Sequence, residues 1–170
     1  MNHFLTTAIS RQATKCYLFD LFALLFVFIA PGIGFRLGVP LYLIEPMRLM
    51  VILALVHTQK PNAFLLAIIL PWFSVIVSGH PPPVKAGLMM SELLINVVFF
   101  LILLKKTDRV FLSMLAAIVF SKLIYYLLKY VCIYAGWLAG ELYATEIYAQ
   151  VLTTVTYSLY VFIVYRISKL

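Results

Sequence analysis

Polar side chains at helical spacing are the residues of this chain whose types and positions could bind a ligand. Glu45 and Arg48 lie three positions apart, so on a helix they share one face and can form an ion pair. Three further stripes keep a similar helical spacing: Lys85, Glu92 and Asn96; Lys122, Tyr125, Tyr126 and Lys129; and Glu146, Gln150, Thr153 and Tyr157. Each stripe would present its charged, amide or phenolic groups on one side of a helix.

These stripes are embedded in a chain that is too apolar for a water-soluble domain. Of its 170 residues, 65% are hydrophobic and 11% are charged, and the mean hydropathy is +1.07. Soluble domains are typically about 45–50% apolar and about 25% charged. Lipid is therefore the expected solvent, and the spans leave no room for a folded soluble domain.

The apolar segments predict an all-α integral membrane protein with six transmembrane helices in one domain covering residues 1–170. A bilayer-spanning helix needs about 20 mostly apolar residues. Glycine, proline and charged turns divide the chain into segments of that size. The predicted spans are about 17–31, 40–57, 62–78, 84–104, 110–134 and 144–166, with Pro31-Gly32 ending the first.

The distribution of lysine and arginine predicts the orientation. Placing the N-terminus in the cytoplasm leaves two basic residues outside, Arg36 and Lys85, and puts eight inside: Arg11, Lys15, Lys60, Lys105, Lys106, Arg109, Arg166 and Lys169. Basic residues accumulate on the cytoplasmic side of membrane proteins. We therefore expect both termini in the cytoplasm and a multi-pass protein of the plasma membrane. The formal charge of +7 is dispersed at span ends and does not indicate nucleic-acid binding.

The charged residues within the spans predict a polar site in the outer half of the membrane. A charge at the bilayer centre costs roughly 2.5–3.5 kcal/mol, so such residues face a partner or a wet cavity. The expected substrate-binding residues are Glu45, Arg48, His80, Lys85, Glu92, Asn96, Lys122, Tyr126, Lys129, Glu146 and Gln150. Their slight positive excess favours a small-molecule ligand with an anionic group.

Two other functions are compatible with the same residues. In a structural membrane protein of an envelope complex, the charges would only hold helices together, with Glu92 neutralised by Lys122 or Lys129 and no cavity. An intramembrane enzyme would need a nucleophile, and only Cys132 with His80 offers one. The chain contains no HExxH, GxSxG or P-loop motif. We therefore predict no enzyme activity, no catalytic residues, no metal and no cofactor.

A stretch in the middle of the chain resembles a known family. A Gly-His-Pro loop precedes a helix that carries a Met-Met turn and a Glu-Leu pair. The residues concerned are Leu70–Ser74, Ser78–Pro82, Lys85, Met89-Met90, Glu92-Leu93 and Asn96. This pattern resembles the substrate-binding S components of energy-coupling factor (ECF) transporters. The motif covers about 70–96, whereas length, six spans and cytoplasmic termini are similar over the whole chain.

The resemblance implies a membrane subunit that captures a vitamin or similar nutrient from outside. Such subunits join a transmembrane coupling subunit and two ATPase subunits, so ATP hydrolysis belongs to those partners. The family's first helix often carries an Ala-x-x-x-Ala stripe that packs on the coupling subunit. Here Ala23 and Ala30 lie seven apart. Another face would then make that contact, or the protein would act without the module.

Overall fold

The computed structural model describes residues 2–38, 40–143 and 146–167, with side chains from Gln12 onward except that of Leu37. Within these residues the chain forms six α-helices, one short 3-10 helix and no strand. The prediction of an all-α fold is therefore confirmed for the described part. The side chain of Arg11 and the whole of Lys169, both counted in the orientation argument, lie outside it.

The helices follow one another through short connections. Their bounds are α1 Asn2–Leu37, α2 Pro46–His57, α3 Lys60–Ser78, α4 Pro83–Thr107, α5 Val110–Tyr134 and α6 Ile147–Ile167, with the 3-10 helix Leu41–Ile44 before α2. Prolines in the first turns of α2, α3 and α4 favour these starts, because the first-turn N–H groups have no partner within a helix.

Five of the described helices are long and apolar enough to cross a membrane: α1 over Gln12–Arg36, α3, α4, α5 and α6. Many of their large apolar side chains point outward, as bilayer-facing residues do. The structure therefore supports a multi-pass membrane protein. A count of six crossings and cytoplasmic termini remain predictions.

The first helix continues past the point where the sequence indicated an end. The expected stop was Pro31-Gly32, but α1 runs on to Leu37 with Pro31 inside it. A proline removes one backbone donor, whereas ending a helix within lipid would leave several polar groups without partners. Continuing the helix is therefore the less costly arrangement.

The second predicted span, 40–57, is not one continuous helix. Glu45 has φ of 49°, in the left-handed region, and separates the 3-10 helix from α2. At 12 residues, α2 rises only about 18 Å, against a hydrocarbon core of about 30 Å. Pro46 at the first position of α2 also removes a donor. Irregular backbone at membrane depth is tolerated where it is enclosed by protein or lines a cavity.

The short helix α2 lies inside the bundle, in contact with α1, α3, α4 and α6. Its residues Met50, Val51 and Ile52 are almost completely buried. They belong to an apolar core that also includes Phe100 of α4 and Ile118 of α5, both fully buried. The buried charged residues Arg48, Glu92 and Lys129 line a cavity toward the end of the bundle where α4 begins and α5 ends.

Candidate functional site

A cavity of about 520 Å³ lies in the half of the bundle where α4 begins and α5 ends. Ligand pockets are typically about 300–1,000 Å³. Nine of the predicted site residues line it: Glu45, Arg48, His80, Lys85, Glu92, Lys122, Tyr126, Lys129 and Gln150. The chain positions them together because α2, α4 and α6 begin at this end of the bundle and α3 and α5 finish there.

Four of these side chains form a chain of ion pairs across three helices. Arg48 Nη1 lies 2.5 Å from Glu45 Oε2, and Arg48 Nη2 donates to Glu92 Oε1. Lys122 Nζ in turn donates to Glu45 Oε1. The order Glu92–Arg48–Glu45–Lys122 therefore links α4, α2 and α5. Two carboxylates face two cations, so the network has no net formal charge.

Burial makes this balance necessary. Arg48 is 3% exposed and Glu92 is 9% exposed, and a buried charge without a partner is strongly destabilising. The structure also corrects one part of the scaffold hypothesis, since Glu92 is neutralised by Arg48 rather than by a lysine. Glu45 with Arg48 is likewise more than an intrahelical pair, because each also binds a residue of another helix.

The break before α2 is fixed by α6 as well as by α5. Tyr157 of α6 donates its hydroxyl hydrogen to the carbonyl oxygen of Ile44, the last residue of the 3-10 helix. Lys122 Nζ, which binds Glu45, also donates to Gln150 Oε1 of α6 at 3.3 Å. Side chains from two long helices thus satisfy polar groups at the break, and this explains how it persists inside the bundle.

Two lysines provide positive charge outside that balanced network. Lys129 is 4% exposed, and its Nζ donates to the Leu142 carbonyl oxygen at 2.7 Å. Lys85 is partly buried and forms no ion pair with any carboxylate in the described part of the chain. The positive charges of Lys85 and Lys129 repel each other, whereas the carboxylate of Glu141 attracts Lys129. Together Lys85 and Lys129 give the cavity lining an excess of positive charge.

Two loops lie beside the cavity. In the α3–α4 loop, the carbonyl oxygen of His80 accepts hydrogen bonds from Ser74 Oγ at 2.7 Å and Ser78 Oγ at 3.0 Å. In the α5–α6 loop, the Tyr143 ring lies 5.1 Å from that of Tyr126. Among the residues described, no group of three or more His, Cys, Asp or Glu side chains could hold a metal ion.

The remaining two predicted residues lie elsewhere. Asn96 is 1% exposed and sits one turn along α4 from Glu92, outside the cavity lining as described. Its Nδ2 has no hydrogen-bond partner among the described atoms. Glu146 precedes α6 and is exposed. Their helical spacing was compatible with the site, but neither residue lines the cavity.

Several lining residues were absent from the predicted set. They are mostly apolar or aromatic and include Tyr42, Ser74, Met47, Met89, Leu93 and Tyr125. Met89 lies four residues after Lys85 and three before Glu92, so helical spacing alone could have identified it. The Tyr125 and Tyr126 rings are 5.4 Å apart. The cavity thus combines an aromatic and thioether wall with cationic groups, which suits a small molecule that has both an apolar body and an anionic group.

Comparison with known proteins identifies no relative of this chain. No protein-family model, curated protein or solved structure matches the chain.

The Lys129 contact gives a testable prediction about the α5–α6 loop. Replacing Lys129 with methionine removes a charged hydrogen bond, which contributes roughly 1.5–3 kcal/mol. We expect amide hydrogen exchange in residues 138–143 to accelerate by about tenfold or more, since about 1.4 kcal/mol corresponds to a factor of ten. Hydrogen-exchange mass spectrometry measures this, with Lys106→Met at the other end of the bundle as control. Unchanged exchange would show that Lys129 does not hold the loop.

Proposed function

We propose that this chain is the substrate-binding membrane subunit of an ECF-type uptake transporter. The observation that carries the proposal is the cavity itself, in which nine predicted polar residues meet. They come from four helices, from the break before α2 and from the α3–α4 loop. A structural membrane protein has no need for a cavity of about 520 Å³ lined by charged groups. The family resemblance over residues 70–96 supports the same function.

The ligand that fits best is a small, nutrient-like molecule with an anionic group. The ion-pair network uses both of its carboxylates on Arg48 and Lys122, whereas Lys85 and Lys129 form no ion pair with a carboxylate of the described chain. A carboxylate or phosphate on the ligand would complement these lysines. Met89 and Tyr125 would contact its apolar part.

The orientation and the partners belong to the same proposal. With both termini in the cytoplasm, the cavity lies in the outer half of the plasma membrane, where a nutrient would be captured. A transmembrane coupling subunit and two ATPase subunits would supply the energy, and this chain would bind rather than catalyse. Since the first helix has no Ala-x-x-x-Ala stripe, contact with a coupling subunit would use a different helix face.

A structural function is the second candidate. The charge-balanced ion-pair network favours a structural role for the four residues that form it. Glu45, Arg48, Glu92 and Lys122 neutralise one another and join three helices. That arrangement is what a scaffold requires. It leaves Lys85 and the aromatic wall of the cavity without a purpose, which is why we prefer the binding function.

The test is to identify small molecules that co-purify with the protein. We expect the denatured wild-type protein to release an anionic small molecule in an amount stoichiometric with the protein, and mass spectrometry identifies it. Lys122→Met should reduce its amount at least tenfold, since Lys122 holds both Glu45 and Gln150 at the cavity wall, and each charged hydrogen bond contributes roughly 1.5–3 kcal/mol. Lys60→Met, at the other end of the bundle, is the matched control.

The two functions give different outcomes in this experiment. The structural function predicts that wild type releases only lipid and detergent, and that result would exclude the binding proposal. Membrane insertion of each variant is checked by its recovery in the detergent extract. Equal amounts of the small molecule from wild type and Lys122→Met would contradict the assignment of Lys122 to the site.

A further inference from the structure

A second cavity, of about 530 Å³, lies at the opposite end of the bundle, where α5 begins and α6 ends. We call it the α5–α6 groove. Its lining residues are Asp108, Arg109, Val110, Phe111, Leu112, Phe162, Tyr165 and Arg166. The walls are apolar and aromatic, with charged groups at the ends of the two helices. Nothing in the proposed capture of a nutrient uses this groove.

The charged groups of the groove are predominantly basic. Arg109 and Arg166 are exposed and form no ion pair with any carboxylate in the described residues. Asp108 supplies the single acidic group of the lining. Lys105 and Lys106, in the last turn of α4, lie outside the groove lining. The electrostatic potential here therefore favours an anion.

The shape of the groove favours an anion that carries a hydrocarbon chain. A guanidinium binds a phosphate through two parallel hydrogen bonds, and Arg109 and Arg166 flank an apolar wall that a soluble phosphate would not use. Leu112 on that wall is 49% exposed, so the wall is accessible from the lipid side. The first turn of α5 contains no acidic residue, and its positive helix end adds to the attraction.

We propose that the α5–α6 groove binds one anionic phospholipid. Arg109 and Arg166 hold the headgroup phosphate, and an acyl chain packs along Phe162 and Leu112. Basic pockets between transmembrane helices recognise anionic headgroups in this way. At the basic end of the bundle, such a lipid would join the start of α5 to the end of α6.

The experiment uses the full-length protein in mixed micelles containing phosphatidylglycerol, with phosphatidylcholine as the zwitterionic comparison. Native mass spectrometry counts the lipids that remain bound. We expect wild type to retain one phosphatidylglycerol and the double variant Arg109→Gln/Arg166→Gln to bind it roughly 25-fold more weakly, because each basic side chain near a charged surface contributes roughly fivefold. Lys105→Gln/Lys106→Gln removes the same charge from the same end outside the groove and should retain the lipid.

One further variant and one soluble competitor distinguish binding of a lipid from binding of a soluble phosphate. Phe162→Ala, which shortens the apolar wall and leaves both arginines, should also weaken phosphatidylglycerol binding. Glycerol 3-phosphate at the same concentration should not displace the lipid. Displacement by glycerol 3-phosphate, equal retention of phosphatidylcholine, or wild-type retention in the double arginine variant would each overturn the proposal. Equal loss in the two double variants would also overturn it, since general charge would then explain binding.

Discussion

Replacing Arg48 with methionine is expected to lower the free energy of unfolding by about 3–5 kcal/mol, the cost of removing one partner from a buried ion pair. Arg48 is 3% exposed and neutralises two carboxylates, those of Glu45 and Glu92. Without it, Lys122 is the one cation left in the network for both, and its described contact is with Glu45. Glu92, 9% exposed on α4, is left as a buried charge. Unfolding by titration with a denaturing detergent measures the change.

A second variant separates lost charge balance from lost packing. The double variant Arg48→Met/Glu92→Leu removes one cation and one anion and leaves Glu45 paired with Lys122. It should recover most of the stability, because replacing a buried ion pair with apolar groups is often neutral. Arg36→Met, on an exposed residue in the last turn of α1, should change stability by less than about 1 kcal/mol. A single Arg48 variant as stable as wild type would contradict the network described.

Much of the helical pattern could be predicted because lipid imposes it. The last four helices lie within a few residues of their expected bounds: for example, α5 is Val110–Tyr134 against an expected 110–134. The turn residues between them end helices at points where polar backbone can reach water or headgroups. Each of these breaks depends on residues close together in the chain, so it can be recognised from the sequence.

The break before α2 could not be predicted in the same way. Residues 40–57 are apolar and contain a pattern compatible with one span, and Glu45 was expected on a regular helix. Its left-handed conformation persists because Tyr157 and Lys122, more than 70 residues away in the chain, satisfy the polar groups there. Contacts between distant segments decide this geometry, and helical spacing does not display them.

The candidate site residues show the same limit. Spacing placed Glu92 and Lys122 on polar helix faces, but it did not indicate that Glu92 would pair with Arg48 while Lys122 would pair with Glu45. Those pairings depend on how α2, α4 and α5 rotate and shift against one another. They matter for function, because they determine which charges are already neutralised and which can bind a ligand. Lys85 belongs to the second group.

Reversing the charge of Lys85 is expected to weaken ligand binding by about 100-fold or more while leaving stability intact. Lys85 lines the cavity and forms no ion pair with a carboxylate in the described part of the chain. An ammonium bound to an anionic ligand group contributes roughly 1.5–3 kcal/mol, and Lys85→Glu adds repulsion to that loss. The readout is the amount of the anionic small molecule that co-purifies with the wild-type protein.

Stability should not fall together with binding. Lys85 repels Lys129, so a glutamate at position 85 replaces repulsion with attraction, and the free energy of unfolding should stay unchanged or rise. Lys85→Gln should bind with intermediate strength, and Lys106→Glu, exposed at the far end of α4, should bind as wild type does. Wild-type binding by Lys85→Glu would remove Lys85 from the site. Loss of binding together with loss of stability would make Lys85 a structural residue rather than a ligand-binding one.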